Sequence, residues 1–306
     1  MVTVLERPKR QVDAFPKVDQ PPRARQRGIL PCFLLAVPFF YLYASVLSGL
    51  VADWWNDPDY SHGFLVPLLS AYFLWEKRQR LANIVPQSNR WGMVVLVVGL
   101  CQLFLGHIGA ELFLMRFSII VVIAGLVLYL FGWQHLRELR FSIGFLLFMI
   151  PLPAILLNSV TFPLQLFAAK LSTFSLQLID LPVYREGNII FLPHVTLEIV
   201  EACSGLRSLV SLMALATVFA YLTQRHIWKL CVLVSSAVPI ALVANAFRIW
   251  GTGILSHHYG TKAAEGFYHT FAGWSVFVVA GVLLLIVGLV LSRLGVEHAH
   301  SKDMRR

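Results

Sequence analysis

Eight runs of apolar residues, at approximately 29–51, 62–76, 91–108, 111–132, 140–158, 203–223, 226–250 and 270–292, follow one another with few charges between them. A helix needs about 20 apolar residues to cross the hydrocarbon core of a bilayer, so such runs leave little choice of fold. Composition agrees: 58% of the 306 residues are hydrophobic and 13% are charged, against roughly 25% charged in soluble domains. Disorder is excluded too, because it requires low hydrophobicity and high charge. The expected fold class is an all-α polytopic membrane protein with about eight transmembrane helices. The run at 62–76 is the shortest and spans only if it tilts little or borrows length from its flanks.

In a soluble protein the net charge of +9 would suggest nucleic acid. Here the Lys and Arg residues border the apolar runs, as the positive-inside rule requires, so the partner is the lipid bilayer and no nucleic acid is expected. With the N-terminal tail inside, the cytoplasmic side collects 19 of the 25 basic residues and the other side four, with Arg116 and Arg207 inside runs. That split predicts eight spans with both termini in the cytoplasm. Residues 1–28, rich in Pro and basic residues, are expected to be a disordered basic cytoplasmic tail. Residues 29–293 are expected to form one multi-span membrane domain, and 294–306 a cytoplasmic C-terminal tail. No small-residue cleavage site follows the first run, which is expected to be a retained helix.

Two outward loops carry most of the remaining information. Ala52 to Ser61 holds three aspartates. Ser159 to Ala202 opens with an amphipathic segment, Phe162 to Leu181, in which Gln165, Lys170, Ser172, Ser175 and Gln177 alternate with Leu and Phe, and which is expected at the membrane surface or as a partial helix. Beyond it, Gly187-Asn188 and Pro193-His194 are turn signals among β-branched residues, predicting a small extracytoplasmic β-hairpin at 183–200, before the sixth span.

The hairpin leads into Glu201-Ala202-Cys203-Ser204-Gly205-Leu206-Arg207-Ser208, where an apolar run begins. Of the four cysteines, Cys32, Cys101 and Cys231 lie inside apolar runs, where a thiol behaves as a small hydrophobe. Cys203 alone adjoins a polar segment, at the expected N-terminus of a span. A helix dipole and a nearby cation both lower a thiol pKa from about 8.5 and favour the nucleophilic thiolate. Arg207, four residues on, is placed to do this or to pair with Glu198 or Glu201; a packing role at the helix end is the alternative for Cys203. The seventh run ends in Ala244-Asn245-Ala246-Phe247-Arg248-Ile249-Trp250, putting Asn245 and Arg248 on one face. An Arg in an apolar helix is costly and either points to a partner or cavity or snorkels to the interface. The next outer loop contains His257, His258, Glu265 and His269. Their spacing matches no zinc signature, and no metal or other cofactor is expected. A thiolate can attack a carbonyl, a cation can stabilise the thiolate or oxyanion, and an imidazole can protonate a leaving amine. Cys203, Arg248 and His269 are therefore candidate catalytic residues, with Asn245, Arg207 and Ser204 in support.

The blocks Asp-Tyr-Ser-His-Gly (59–63), Arg-Glu-Gly-Asn (185–188), Glu-Ala-Cys-Ser-Gly-Leu-Arg-Ser (201–208), Asn-Ala-Phe-Arg-Ile (245–249) and Tyr-His (268–269) together resemble the exosortase family, over residues from about 30 to 292. The resemblance implies a multi-span enzyme of the bacterial inner membrane with a Cys, Arg and His site on the periplasmic face, here Cys203, Arg248 and His269. It implies a cysteine transpeptidase or protease that acts through an acyl-enzyme. Its partners would be exported proteins whose C-terminal sorting signal comprises a short motif such as Pro-Glu-Pro, a membrane helix and a basic cluster, and an envelope acceptor of unknown identity. Family members with an added C-terminal domain are linked to exopolysaccharide production; this chain stops soon after its last run. Two rival readings are a non-catalytic membrane component of exopolysaccharide export or assembly, and a protease with Ser204 as nucleophile. A transporter should place its polar residues at mid-membrane, whereas here they cluster at one face.

Overall fold

The structure, a computed structural model, describes residues 29–193, 195–198, 206–259 and 267–294. It divides into two units, Met1–Ala44 and Ser45–Arg306. In the first, α1 (Ile29–Leu42) contains Pro38. The second begins within α2 (Ala44–Asn56) and continues through a 3-10 turn, Ser61–Phe64, into α3 (Leu65–Glu76) and the short α4 (Arg78–Ala82). Then come α5 (Trp91–Ile108), α6 (Leu112–Leu130), α7 (Trp133–Phe145), a 3-10 turn at Leu146–Met149 and α8 (Ala154–Gln177). Three strands follow, β1 (Tyr184–Glu186), β2 (Ile189–Leu192) and β3 (Val195–Glu198), and then α9 (Leu206–Thr223), α10 (Ile227–Tyr259) and α11 (Phe267–Arg293).

Among the described residues, five helical stretches are long and apolar enough to cross a bilayer, within α5, α6, α8, α10 and α11, and a sixth span results if Leu34–Leu42 and Ala44–Asn56 are taken together. The chain is a multi-pass membrane protein. Its exteriors agree: Phe162, Phe167 and Phe174 of α8 are exposed, while Thr161, Gln165, Ser172 and Thr173 of the same helix are buried. This arrangement is inside-out for water and right for lipid. Of the two expectations for 162–181, the segment packs as helix over most of its length, with Gln165 and Ser172 buried against protein and Lys170 and Gln177 exposed. The run at 140–158 is not one helix, because Pro151 and Pro153 lie between α7 and α8. Proline lacks an N–H and pushes the residue before it out of the helical region.

Helices α5 and α6 pack closely enough that glycine is required. Gly92, Gly99 and Gly106 recur every seven residues, and a Cβ on them would come within 2.2 Å of Tyr129, 2.7 Å of Val122 and 2.7 Å of Met115 respectively. Small residues of this kind let membrane helices approach backbone to backbone. Arg116, buried inside α6, pairs at 2.7 Å with Asp53 of α2. One end of the second unit is basic. Lys77 donates to the Glu138 carbonyl at 2.6 Å and lies 5.6 Å from the Tyr221 ring, which stacks on Phe141 at 3.7 Å. Phe73 joins the same aromatic cluster, tying α3, α7 and α9 together.

The strands form one antiparallel sheet in the order β1-β2-β3, with Glu186 opposite Ile189 and Leu192 opposite Val195. Gly187 takes φ 61° in the first turn, and Arg185 donates to its carbonyl at 2.6 Å. Ile190 and Leu192 are buried with Ala168, Ala169 and Leu176 of α8 and Ile249 of α10, so the sheet packs on α8 and α10.

Candidate functional site

Helices α9, α10 and α11 share a core that includes Leu212, Ala216, Leu233, Ala237 and Leu284. Two bonds pin one end of this bundle: Gln224 Nε2 donates to the Gly288 carbonyl at 3.1 Å and Lys229 Nζ to the Leu291 carbonyl at 2.6 Å. Counting from these bonds at about 1.5 Å per residue, Arg207 lies about 26 Å along α9. On the same count Asn245 and Arg248 lie about 24 and 28 Å along α10, and His269 about 33 Å along α11. The helix register thus carries all four backbone positions to the end away from Lys229.

Cys203 and Ser204 lie outside the described residues, in the segment just before Leu206, where α9 begins. Arg207 is the second residue of α9 and His269 the third of α11; what their side chains touch is likewise outside the described part. Asn245 is buried, at 2% exposure, and Arg248 half-buried. The seventh run was expected to end at 250, but α10 continues to Tyr259. Asn245 and Arg248 are therefore interior to the helix, and His257 and His258 belong to α10 instead of a loop. Between Asn245 and Arg248 the helix is bound to α8, where Ser172 Oγ donates to the Ala246 carbonyl at 3.1 Å.

The structure adds a polar junction to which the sequence reading gave no role. His62, in the block 59–63, has its Nε2 3.2 Å from the Phe148 carbonyl and its Nδ1 3.1 Å from the Asp59 carbonyl. The Ser211 hydroxyl of α9 is 3.2 Å from the same Nδ1. A neutral ring protonated at Nε2 donates to Phe148 and accepts from Ser211; one protonated at Nδ1 donates to Asp59. Only the Nε2-protonated tautomer bonds both Phe148 and Ser211, and in that form His62 joins the turn Ser61–Phe64, the turn Leu146–Met149 and the second turn of α9. Ser211 is four residues after Arg207, one helical turn along. The neighbouring Trp54 Nε1 donates to the Met149 carbonyl at 2.9 Å, and Gly63 is so close to the Trp54 ring that a Cβ would come within 2.3 Å of it. The presence of His62 in block 59–63 was the only signal available; its partners lie 86 and 149 residues away.

Among the described residues, no group of three or more His, Cys, Asp or Glu side chains is arranged to hold a metal ion.

Comparison with curated proteins and with solved structures found no match. A family model does match: the one described as transmembrane exosortase fits residues 54–286.

Proposed function

The chain belongs to the transmembrane exosortase family, and on that premise we propose that it is a cysteine transpeptidase of the bacterial inner membrane, with its site on the periplasmic face. Its substrates are exported proteins ending in a short motif, a membrane helix and a basic cluster. The single observation that supports this most is the register of the three-helix bundle, in which Arg207, Asn245, Arg248 and His269 lie at the end opposite the one pinned by Lys229.

In this reading the Cys203 thiolate attacks the scissile carbonyl and forms a C–S bond. Arg248 stabilises first the thiolate and then the oxyanion, and Asn245, one turn earlier, orients Arg248 or the substrate backbone. As the C–N bond breaks, His269 gives its proton to the leaving amine. His269 then takes a proton from the incoming nucleophile, an envelope acceptor or water, while the C–S bond breaks and the thiolate is restored. Arg207, near the start of α9, adds positive charge beside Cys203. The sheet packed on Ile249 offers β1 as an edge on which an extended sorting motif can pair.

The test is the size of a co-expressed reporter bearing a Pro-Glu-Pro, helix and basic-cluster tail. Cleavage is expected with the wild-type chain and with Ser204→Ala, and is expected to vanish in Cys203→Ala at equal membrane abundance. Cleavage that survives in Cys203→Ala but is lost in Ser204→Ala would transfer the nucleophile to Ser204. A fully active Arg248→Gln would remove Arg248 from the scheme.

A further inference from the structure

Trp133, Arg137, Arg140 and Gly144 follow one another along α7 at steps of three or four residues, which places them on one side of the helix. With Ile143, and with Ala124 from α6, they line an open groove of about 630 Å³. Both arginines are exposed, and neither takes part in the ion pairs found among the described residues. The one acid on α7, Glu138, is engaged by Lys77 at 3.8 Å. The groove therefore presents two adjacent guanidinium groups that no carboxylate among the described residues pairs with.

Lys77, the residue after α3, donates to the Glu138 carbonyl, and this lysine at the end of an apolar helix is taken to mark the polar boundary. Glu138 is thus at the polar boundary, and Arg137 and Arg140 flank it. Trp133 lies on the polar side, as interfacial tryptophans do. Gly144, one turn beyond Arg140, is about 6 Å further into the apolar layer. It is exposed, and a Cβ there would meet nothing within 4 Å. The groove is thus cationic where it meets the boundary and apolar and open where it enters the hydrocarbon.

We propose that this groove binds an anionic phospholipid of the leaflet at the basic end, with the headgroup phosphate between Arg137 and Arg140 and an acyl chain along Ile143, Gly144 and Ala124. Guanidinium groups match phosphate oxygens in paired hydrogen bonds, and basic pockets between helices at the membrane boundary recognise acidic headgroups. A soluble phosphate would use only the cationic half of the groove; the apolar half selects a lipid. The site is remote from the candidate nucleophile and does not depend on the proposed chemistry.

The full chain, purified in a neutral detergent, is titrated with phosphatidylglycerol, with phosphatidylcholine of the same acyl chains, and with inorganic phosphate, and bound lipid is counted by native mass spectrometry. Phosphatidylglycerol is expected to bind, and the other two to bind far more weakly. Removing both charges in R137Q/R140Q should weaken phosphatidylglycerol binding about thirtyfold and abolish the preference over phosphatidylcholine. Gly144→Leu fills the apolar half, keeps both charges and favours the helix; it should weaken the same binding about tenfold, since a lost acyl contact of a few methylenes is of that order. Equal binding of the two lipids by the wild type, unchanged phosphatidylglycerol binding in R137Q/R140Q, or full competition by inorganic phosphate would each overturn the proposal. If R137Q/R140Q does not fold, Gly144→Leu decides: unchanged binding overturns the lipid site, and weakened binding supports it.

Discussion

The nitrogens of His62 serve three elements at once, and Ser211, its partner on α9, is one turn from Arg207. Its side chain therefore helps to set where the start of α9 sits. Displacing a catalytic group by about 1 Å can cost up to 100-fold in rate. His62→Ala is expected to lower the turnover of reporter cleavage about ten- to a hundredfold with KM little changed. Ser211→Ala should act in the same direction, and the double variant should be no worse than the worse single one. Independent, additive losses would show that the pair does not act as a unit. Arg116 illustrates a different dependence, since it is buried and its partner Asp53 is partly exposed. Asp53→Asn leaves a guanidinium inside the protein without its counter-charge and is expected to destabilise by about 3 kcal/mol, seen as a lower thermal midpoint in detergent. The sequence makes Arg116 visible as a charge inside an apolar run, but not which aspartate of the loop 52–61 answers it. His62 was equally visible as part of a block, and equally silent about Phe148 and Ser211. Long-range pairing leaves no trace in local periodicity.

At the scale of elements, apolar length was legible and helix ends were not. Trp91–Ile108 and Leu112–Leu130 match the runs at 91–108 and 111–132 almost residue for residue. In contrast, the run at 140–158 is divided by prolines at 151 and 153, and 226–250 extends to Tyr259, where hydropathy falls but helix formation does not. The segment at 162–181 shows why amphipathicity is ambiguous in a membrane protein: of its polar residues Gln165 and Ser172 turn into the protein, whereas Lys170 and Gln177 are exposed. The seven-residue glycine recurrence of α5 belongs to this scale as well. It is plain in the sequence, but its meaning depends on Tyr129, Val122 and Met115 lying across from it. Gly99→Leu would drive a branched side chain into Val122, and is expected to cost about 1–3 kcal/mol by overpacking. The check is the thermal midpoint, or the fraction of chain extracted as a monodisperse species. An unchanged midpoint would mean that α5 and α6 are not so closely apposed.

For the whole molecule, the basic residues near 77–80, 137–140 and 225–229 converge on one end, through Lys77 with Glu138 and Tyr221 and through Lys229 with Leu291. A charge count along the sequence had put these loops on one side, and the contacts gather them. If that side is the cytoplasm, a fluorescent protein fused to the C-terminus should fluoresce and a periplasm-dependent phosphatase there should stay inactive; the opposite pair of results would invert the orientation. Arg207, Asn245, Arg248 and His269 were legible as motifs, and the helix register puts their backbones toward the far end of the same bundle, within about 9 Å of one another along its axis.

The central claim is that Cys203 carries the substrate as a thioester, and it is tested most directly by interception. Membranes holding the enzyme and the tailed reporter are incubated with hydroxylamine, a small nucleophile that captures thioesters, and the mass of the reporter's new C-terminus is measured. A hydroxamate-ended product that requires Cys203 is the predicted result. A product bearing only a free carboxylate at every hydroxylamine concentration, or cleavage that persists in Cys203→Ala, would contradict the account.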